Sequence, residues 1–426
     1  MARDLTVLAD PVHGFIKIPQ KIIQSLLESP EVQRLRRIKQ LGMGSLVFPA
    51  AEHSRFPHAL GAMGLLSGAL DSFEAKETPI KEEERLAAMA AILLHDIGHS
   101  PFSHTLESKL IHDTKHEEIS IALVKHLKSQ MGGLDDMTIA MLEGNYEKPF
   151  FNALISSQLD MDRLDYLCRD SHFTGVAEGR IGVGRILRTL CVHPTDGGPE
   201  SCLAIESKGV YAVENVLIAR RLMYWQVYVH KTVIAADYAL VGAIDRARDL
   251  IRDGDDDAVR GISPTLYWFL KENPDKSRIF EDQVLTRFLD LDDSEVIYSL
   301  KQWCTSNDRI LADLSRRIIT RELFRCTFLE EEPSDRLYEN WKDHATHALA
   351  KMGITSPDAH TYYLKVGVSS HEAYKPDKNV VHVLSPQGRL SKLGEYADGA
   401  AISALTKFVQ KPYVCHPKAV ELIARR

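Results

Sequence analysis

Residues 93–104, LLHDIGHSPFSH, place three histidines and one aspartate directly after an apolar run. Imidazole and carboxylate together suit zinc, iron or manganese, whereas magnesium alone would favour an all-oxygen site. His95 and Asp96 stand where the apolar run ends, and Gly98 with Pro101 marks the break behind it. Neighbouring residues diverge by about 100° around a helix, but at a helix end the backbone can turn both side chains toward one cation. Two ligands do not close a site. Upstream lies EHSRFPHALG (52–61), and downstream SSQLDMDRLDYLCRDS (156–171), in which Asp160, Asp162, Asp165 and Asp170 alternate with apolar residues. One histidine from the first segment and one aspartate from the second would give a His, His, Asp, Asp set with positions left for water. Each piece alone has an ordinary structural reading as a cap, a buried hydrogen bond or a solvated face. Their co-occurrence with the dense cluster His95, Asp96, His99 and His104 is what points to a metal centre.

Helices must position these groups. Glu82 to Leu94, EEERLAAMAAILL, begins acidic, as suits a helix N-terminus, and then turns almost wholly apolar, as a helix entering a core should. The acidic run at 156–171 reads as an amphipathic helix whose carboxylates could reach a core metal. Residues 213–250 contain no proline and one glycine, with apolar positions every three or four residues, so they form one very long helix or two in series. Short strands are expected at GFIKIP (14–19) and at CLAIES (202–207), the latter after the turn-rich HPTDGGPE. From about residue 355 the pattern changes. HTYYLKVGVSS and NVVHVLSPQGRLSKL read as strands joined by turns, followed by a helix at 397–409 and a last apolar stretch at 412–415. The expected architecture is mainly α: a helical body over 1–350, with its motifs at 10–235, and a small C-terminal α+β subdomain over 351–426.

The whole chain narrows the function classes. Its 426 residues are 44% hydrophobic and 26% charged, and 52 basic against 59 acidic residues leave a formal charge of −7. That balance gives no general attraction to nucleic acid or anionic membrane, although a local basic pocket remains open. The six cysteines form no CxxC pair, which argues against both a disulfide framework and a thiolate zinc site. The N-terminus is too polar for a secretory signal, and no apolar stretch approaches the roughly 18 residues that span a bilayer. A cytoplasmic protein is expected.

In order, SRFPHALG, LLHDIGHSPFSH, KHEEIS and LDMDRLDYLCRDSHFTG resemble the HD-domain phosphohydrolases, and most closely their dNTP triphosphohydrolase branch. With DPVHGFIKIP and VQRLRRIKQLGMGSLVFPAAEHSRFPHALG before them, the resemblance covers residues 10–235. It implies an HD-type helical core in which His58, His95, Asp96 and Asp162 bind one divalent transition metal (iron, manganese or zinc), with magnesium arriving on the nucleotide. Such a metal lowers the pKa of water toward neutrality, which provides hydroxide for attack on phosphorus. The resemblance also makes His99, His104 and His116 active-site histidines, with Glu117 orienting His116. His104, or failing it His116, would protonate the 5′ oxygen as the α-phosphorus is attacked, giving a deoxynucleoside and tripolyphosphate. Arg55, Arg163 and Arg220 match positions that hold the triphosphate.

The same resemblance assigns Gln40 and Asp170 to the 3′ hydroxyl and Tyr228 to the face of the deoxyribose. Leu41 and Tyr166 become close walls that leave no room for a 2′ hydroxyl. Within ESPEVQRLRR, Glu28, Gln33 and Arg36 match a regulatory guanine-nucleotide site of the branch. Val7, Leu8 and Ala9, which replace polar activator contacts, leave either one regulatory nucleotide or none. A homo-oligomer, dimer or tetramer, is expected. Two other functions stay open: the same metal centre acting on another nucleotide phosphoester (a monophosphate, a ribonucleoside triphosphate or an alarmone), and a nucleotide-sensing or single-stranded nucleic-acid-binding module.

Overall fold

A computed structural model describes residues 6–19, 21–130, 134–374, 380–396, 405–420 and 422. The chain opens with an antiparallel hairpin of β1 (Thr6–Asp10) and β2 (Gly14–Ile18), then α1 (Lys21–Glu28) and α2 (Pro30–Arg34). The centre is α3 (Arg55–Glu74), packed on both α4 (Glu82–Leu94) and α6 (Met161–Thr174), with α5 (His116–Gln130) between them in sequence. Residues 87–94 of α4 are all buried, which explains why that segment is apolar all round and not on one face only.

The 213–250 segment is two helices in series, α7 (Val210–Met223) and α8 (Lys231–Arg252), bent by 54°. Between them Tyr224–Tyr228 winds into a π turn, and the His230 side chain caps α8 by accepting from Thr232 N at 3.2 Å. The joint falls in YWQVYV, whose aromatic and β-branched residues lose side-chain freedom in a helix. Helix α8 then packs on α9 (Arg309–Ile319).

Two further sheets flank the helices. In the first, β3 (Leu190–His193) and β4 (Cys202–Glu206) are antiparallel, β7 (His382–Leu384) adds parallel to β4, and β8 (Leu390–Lys392) closes a hairpin on β7. In the second, β9 (Val409–His416) is the central strand between β5 (Arg325–Phe328) and β6 (Lys365–His371). The late strands therefore complete sheets begun earlier in the chain. Of the helix expected at 397–409, residues 397–404 lie outside the described residues. Its end is corrected, because Val409 already belongs to β9, where pairing with His371 captures it. The expected apolar stretch at 412–415 is the buried half of that strand.

One apolar core runs from Ile16 to Cys415, and a small second cluster forms around Trp341, Leu364 and Val414. Among the described residues no single helix is long and apolar enough to cross a membrane.

Candidate active site

Helix ends bring the proposed ligands together. His58 lies near the start of α3, His95 follows the last residue of α4, and Asp162 sits in the first turn of α6. The helices approach closely because Gly61 has no side chain: a Cβ there would lie 1.9 Å from Asp165 Oδ1. Ligand atoms of His58, His95 and Asp162 all fall within 4.8 Å of one another. Asp96 joins them, with its carboxylate 3.5 Å from His58 Nε2 and 3.3 Å from His95 Nε2.

Both imidazoles are fixed at the other nitrogen. His58 Nδ1 is 2.7 Å from Asp165 Oδ2, and His95 Nδ1 is 2.6 Å from the Ile92 carbonyl. Their Nε2 atoms are buried and make no hydrogen bond, although Asp162 Oδ1 lies 3.1 Å from one and 3.6 Å from the other. Nitrogens that close to a carboxylate yet not bonded to it are aimed at a shared point, as metal ligands are. Charge agrees. Burial opposes protonation of His58, but Asp162 and Asp165 raise its pKa to about 10. Burial likewise opposes protonation of His95, which Asp96 and Asp162 raise to about 9. The nest holds excess negative potential that a divalent cation would neutralise, so these four residues fit a metal.

The sequence reading missed what holds this nest. Asp165 Oδ1 and Oδ2 also take Arg169 Nη2 and Nε, each at 2.9 Å, and His13 Nε2 lies 2.7 Å from Oδ1. Arg169 continues to Asp10 at 2.8 Å, so the β1–β2 hairpin buttresses His58 through two links. Asp165 falls three residues after Asp162, one helical turn on, and that spacing was the available signal. The metal-holding imidazole of a metalloenzyme ordinarily donates its second N–H to a carboxylate in this way.

The loop after His95 is pinned from several sides. Ser120 Oγ donates to the His95 carbonyl at 2.6 Å and accepts from Gly98 N at 2.9 Å. A Cβ at Gly98 would strike the His116 carbonyl at 2.3 Å, so glycine is required there. The fully buried Arg34 donates to the carbonyls of Ile97 and His99 at 3.2 and 2.9 Å. Phe102 and Ser103 adopt left-handed φ of 54° and 56°, a conformation that non-glycine residues hold at a cost. Side-chain bonds secure them: Phe102 N to Asp293 Oδ1 at 2.7 Å, Arg55 Nε to Ser103 Oγ at 2.8 Å and Ser103 Oγ to the Lys39 carbonyl at 2.8 Å.

This loop and the start of α5 gather three histidines. The His99 and His116 rings stack with centroids 3.8 Å apart, and His104 meets them edge-on at 5.0 and 5.3 Å. Glu107 holds two of them: Oε2 lies 2.9 Å from His104 Nδ1, and Oε1 lies 2.6 Å from His116 Nδ1. Glu117 is farther from His116, at 3.4 Å, so the orienting carboxylate is Glu107 instead. Burial pushes Glu107 up, but bonds from His104 and His116 hold it well below the usual carboxylate range. Burial, then the adjacent Arg55 charge, drives His99 well below the ordinary histidine value and keeps it neutral.

A cavity of about 450 Å³ joins these groups. Asp96, Asp162, Arg55 and the three histidines line it together with Glu117, Gln40, Leu41, Tyr166, Asp170 and Tyr228. The Gln40 Oε1 atom is buried without a hydrogen-bond partner. Asp170 accepts from Tyr228 at 2.9 Å and lies 2.8 Å from His53 Nε2, a partner the sequence reading overlooked. Arg55 Nη1 donates to Asp96 at 2.5 Å. Arg163 and Arg220 are not in the lining: Arg163 bonds Ser157 O and Asp160, and Arg220 bonds the Ala373 carbonyl. Burial and then the nearby Arg163 lower the Arg220 pKa, whereas Arg163, paired with Asp160 at 3.0 Å, is raised. Away from the cavity, Arg36 donates to Gln33 at 2.8 Å and covers the Phe56 ring at 3.6 Å, while Glu28 is exposed at the end of α1.

Known proteins resemble this arrangement. A model of the HD domain matches residues 55–170, and one of the HD associated region matches 181–258. The protein YwfO of Bacillus subtilis, whose own role is uncharacterized, is 33% identical over 91% of this chain and 86% of its own length. Chicken SAMHD1, a deoxynucleoside triphosphate triphosphohydrolase, is 27% identical over 83% of this chain, which spans 61% of that protein. The crystal structure of a phosphohydrolase from Bacteroides thetaiotaomicron superposes with a TM-score of 0.88 at 38% identity, covering 97% of this chain and all of that one.

Proposed function

Because this chain belongs to the HD-domain phosphohydrolases, we propose that it is a metal-dependent deoxynucleoside triphosphate triphosphohydrolase. The observation that carries this reading is one continuous cavity shared by Asp96, Asp162, Arg55 and the histidine trio on one hand and Gln40, Asp170 and Tyr228 on the other. A divalent transition metal on His58, His95, Asp96 and Asp162 would supply Lewis-acid activation at the reacting phosphorus. Magnesium would arrive with the nucleotide phosphates.

The chain's own residues do the rest. Arg55, anchored on Asp96 and Ser103, turns its remaining N–H groups to the phosphates. His104, fixed at Nδ1 by Glu107, holds a proton at Nε2 for the departing 5′ oxygen, with His116 on the same carboxylate as its alternate. Arg163 and Arg220 receive the far end of the triphosphate. Gln40 Oε1 accepts from the 3′ hydroxyl beside Asp170, and Tyr228, tethered to Asp170, packs on the sugar. Leu41 and Tyr166 close the space a 2′ hydroxyl would need. A guanine nucleotide at Glu28, Gln33 and Arg36 and a homo-oligomer belong to the same reading.

Product analysis tests it. The purified protein is given each dNTP and matching NTP, in manganese and then magnesium, with GTP added in parallel, and products are resolved by ion-pair chromatography. Deoxynucleoside plus tripolyphosphate from dNTPs alone is expected. Equal turnover of NTPs, or release of pyrophosphate or monophosphate, would overturn the proposal in favour of another phosphoester.

A further inference from the structure

Phosphates and sugar do not use the whole cavity. The part of its lining left over consists of Gly42, Gly44, Phe102, Val227 and Val233, with Ser103, Thr105, Tyr224 and Asp237 as its polar members. Ser103 is spent, since its hydroxyl donates to the Lys39 carbonyl and accepts from Arg55, each at 2.8 Å. Tyr224 is spent, since its hydroxyl donates to the Ser370 carbonyl at 2.7 Å. Thr105 is spent as a donor, since its Oγ1 donates to Asp237 Oδ1 at 2.9 Å. Asp237 lines the cavity, and among the described residues Thr105 is the one hydrogen-bond partner found for its carboxyl, which leaves the second oxygen for a ligand. A flat apolar wall with one convergent polar atom is how small-molecule sites fix orientation.

Resting on the nucleotide reading above, we propose that Asp237 selects the base, its free carboxyl oxygen accepting a hydrogen bond from the exocyclic amino group of adenine or cytosine. Thymine and guanine present a carbonyl oxygen at the corresponding ring position and would set acceptor against acceptor. The bond from Thr105 keeps the carboxyl in one orientation, which a single-acceptor reader needs. Among the described residues no cation lies against the carboxyl, and burial raises its pKa to about 7, so a donor from the ligand is the partner the site lacks. Val233, one turn before Asp237 on α8, supplies an apolar surface beside it for the ring.

The test measures kcat/KM for all four dNTPs with the wild type and with Asp237→Asn, which keeps the acceptor for Thr105 but turns the free acceptor into a donor. The ratio of dCTP to dTTP should fall by roughly ten- to a hundredfold in the variant. The same four-way ranking in both proteins would overturn the inference. A second measurement needs no variant: wild-type protein is given dATP and its analogue lacking the 6-amino group, and a loss of roughly tenfold or more is expected. Equal use of the two would also overturn it. Failure of the wild type to hydrolyse any dNTP would instead overturn the triphosphohydrolase reading, so the two failures are distinct.

Discussion

His58 and His95 have side chains 0% and 12% exposed, with each Nδ1 locked by a partner that is itself locked, whereas His104 stands 67% exposed on the single carboxylate of Glu107. Both groups are built from the same imidazole, but their surroundings give them different work. Donors for a cation gain by being immobile before the cation arrives, because ordering them later would cost affinity. A proton donor must exchange with solvent between turnovers and follow a departing oxygen. The contrast suits His58 and His95, beside Asp96 and Asp162, to cation binding and the exposed His104 to the proton transfer proposed for it.

The largest expected effect falls on the buried side. His95→Ala should lose bound transition metal and dNTP turnover together, read by elemental analysis and product assay on one sample. Full activity in that variant would contradict the ligand assignment. His104→Ala, on the open side, should keep its metal while turnover drops about 10²- to 10⁴-fold, the usual reach of general acid catalysis. Unchanged turnover would move the proton donor to His116. A smaller change is expected from Asp165→Asn, which leaves every ligand in place but loosens His58. Metal affinity, measured by chelator competition, should fall about 10- to 100-fold.

The smallest effect concerns stability. Glu107 is depressed in the folded chain, so its contribution is fully present above the unfolded value near about 4.3 and is lost as pH falls below it. The melting-temperature gap between wild type and Glu107→Gln should therefore shrink as pH is lowered through about 4. A gap independent of pH would remove Glu107 as the shared anchor of His104 and His116.

Much of the ligand nest was legible because it lies at helix ends, where capping, glycine and proline leave strong marks. LLHDIGH carries its own helix stop, and the run around Asp162 carries its period. Glu107 was not legible, since it reaches His116 across nine residues and a turn that no local pattern specifies. Asp10, His13 and Asp165 form one network only after a hairpin and a helix meet across more than 150 residues. The break between α7 and α8 was open to either reading, because both contain the same apolar period. The strand Val409–His416 was half legible: residues 412–415 stood out as an apolar stretch, but Val409 was credited to the preceding helix, and only pairing with β6 decides where the strand starts.

The most direct test is hydrolysis of dNTP in water enriched with oxygen-18, followed by mass analysis of both products. Attack at the α-phosphorus with proton donation to the 5′ oxygen predicts one heavy oxygen in tripolyphosphate and none in the deoxynucleoside. Heavy oxygen in the deoxynucleoside, or in an orthophosphate or pyrophosphate product, would contradict it.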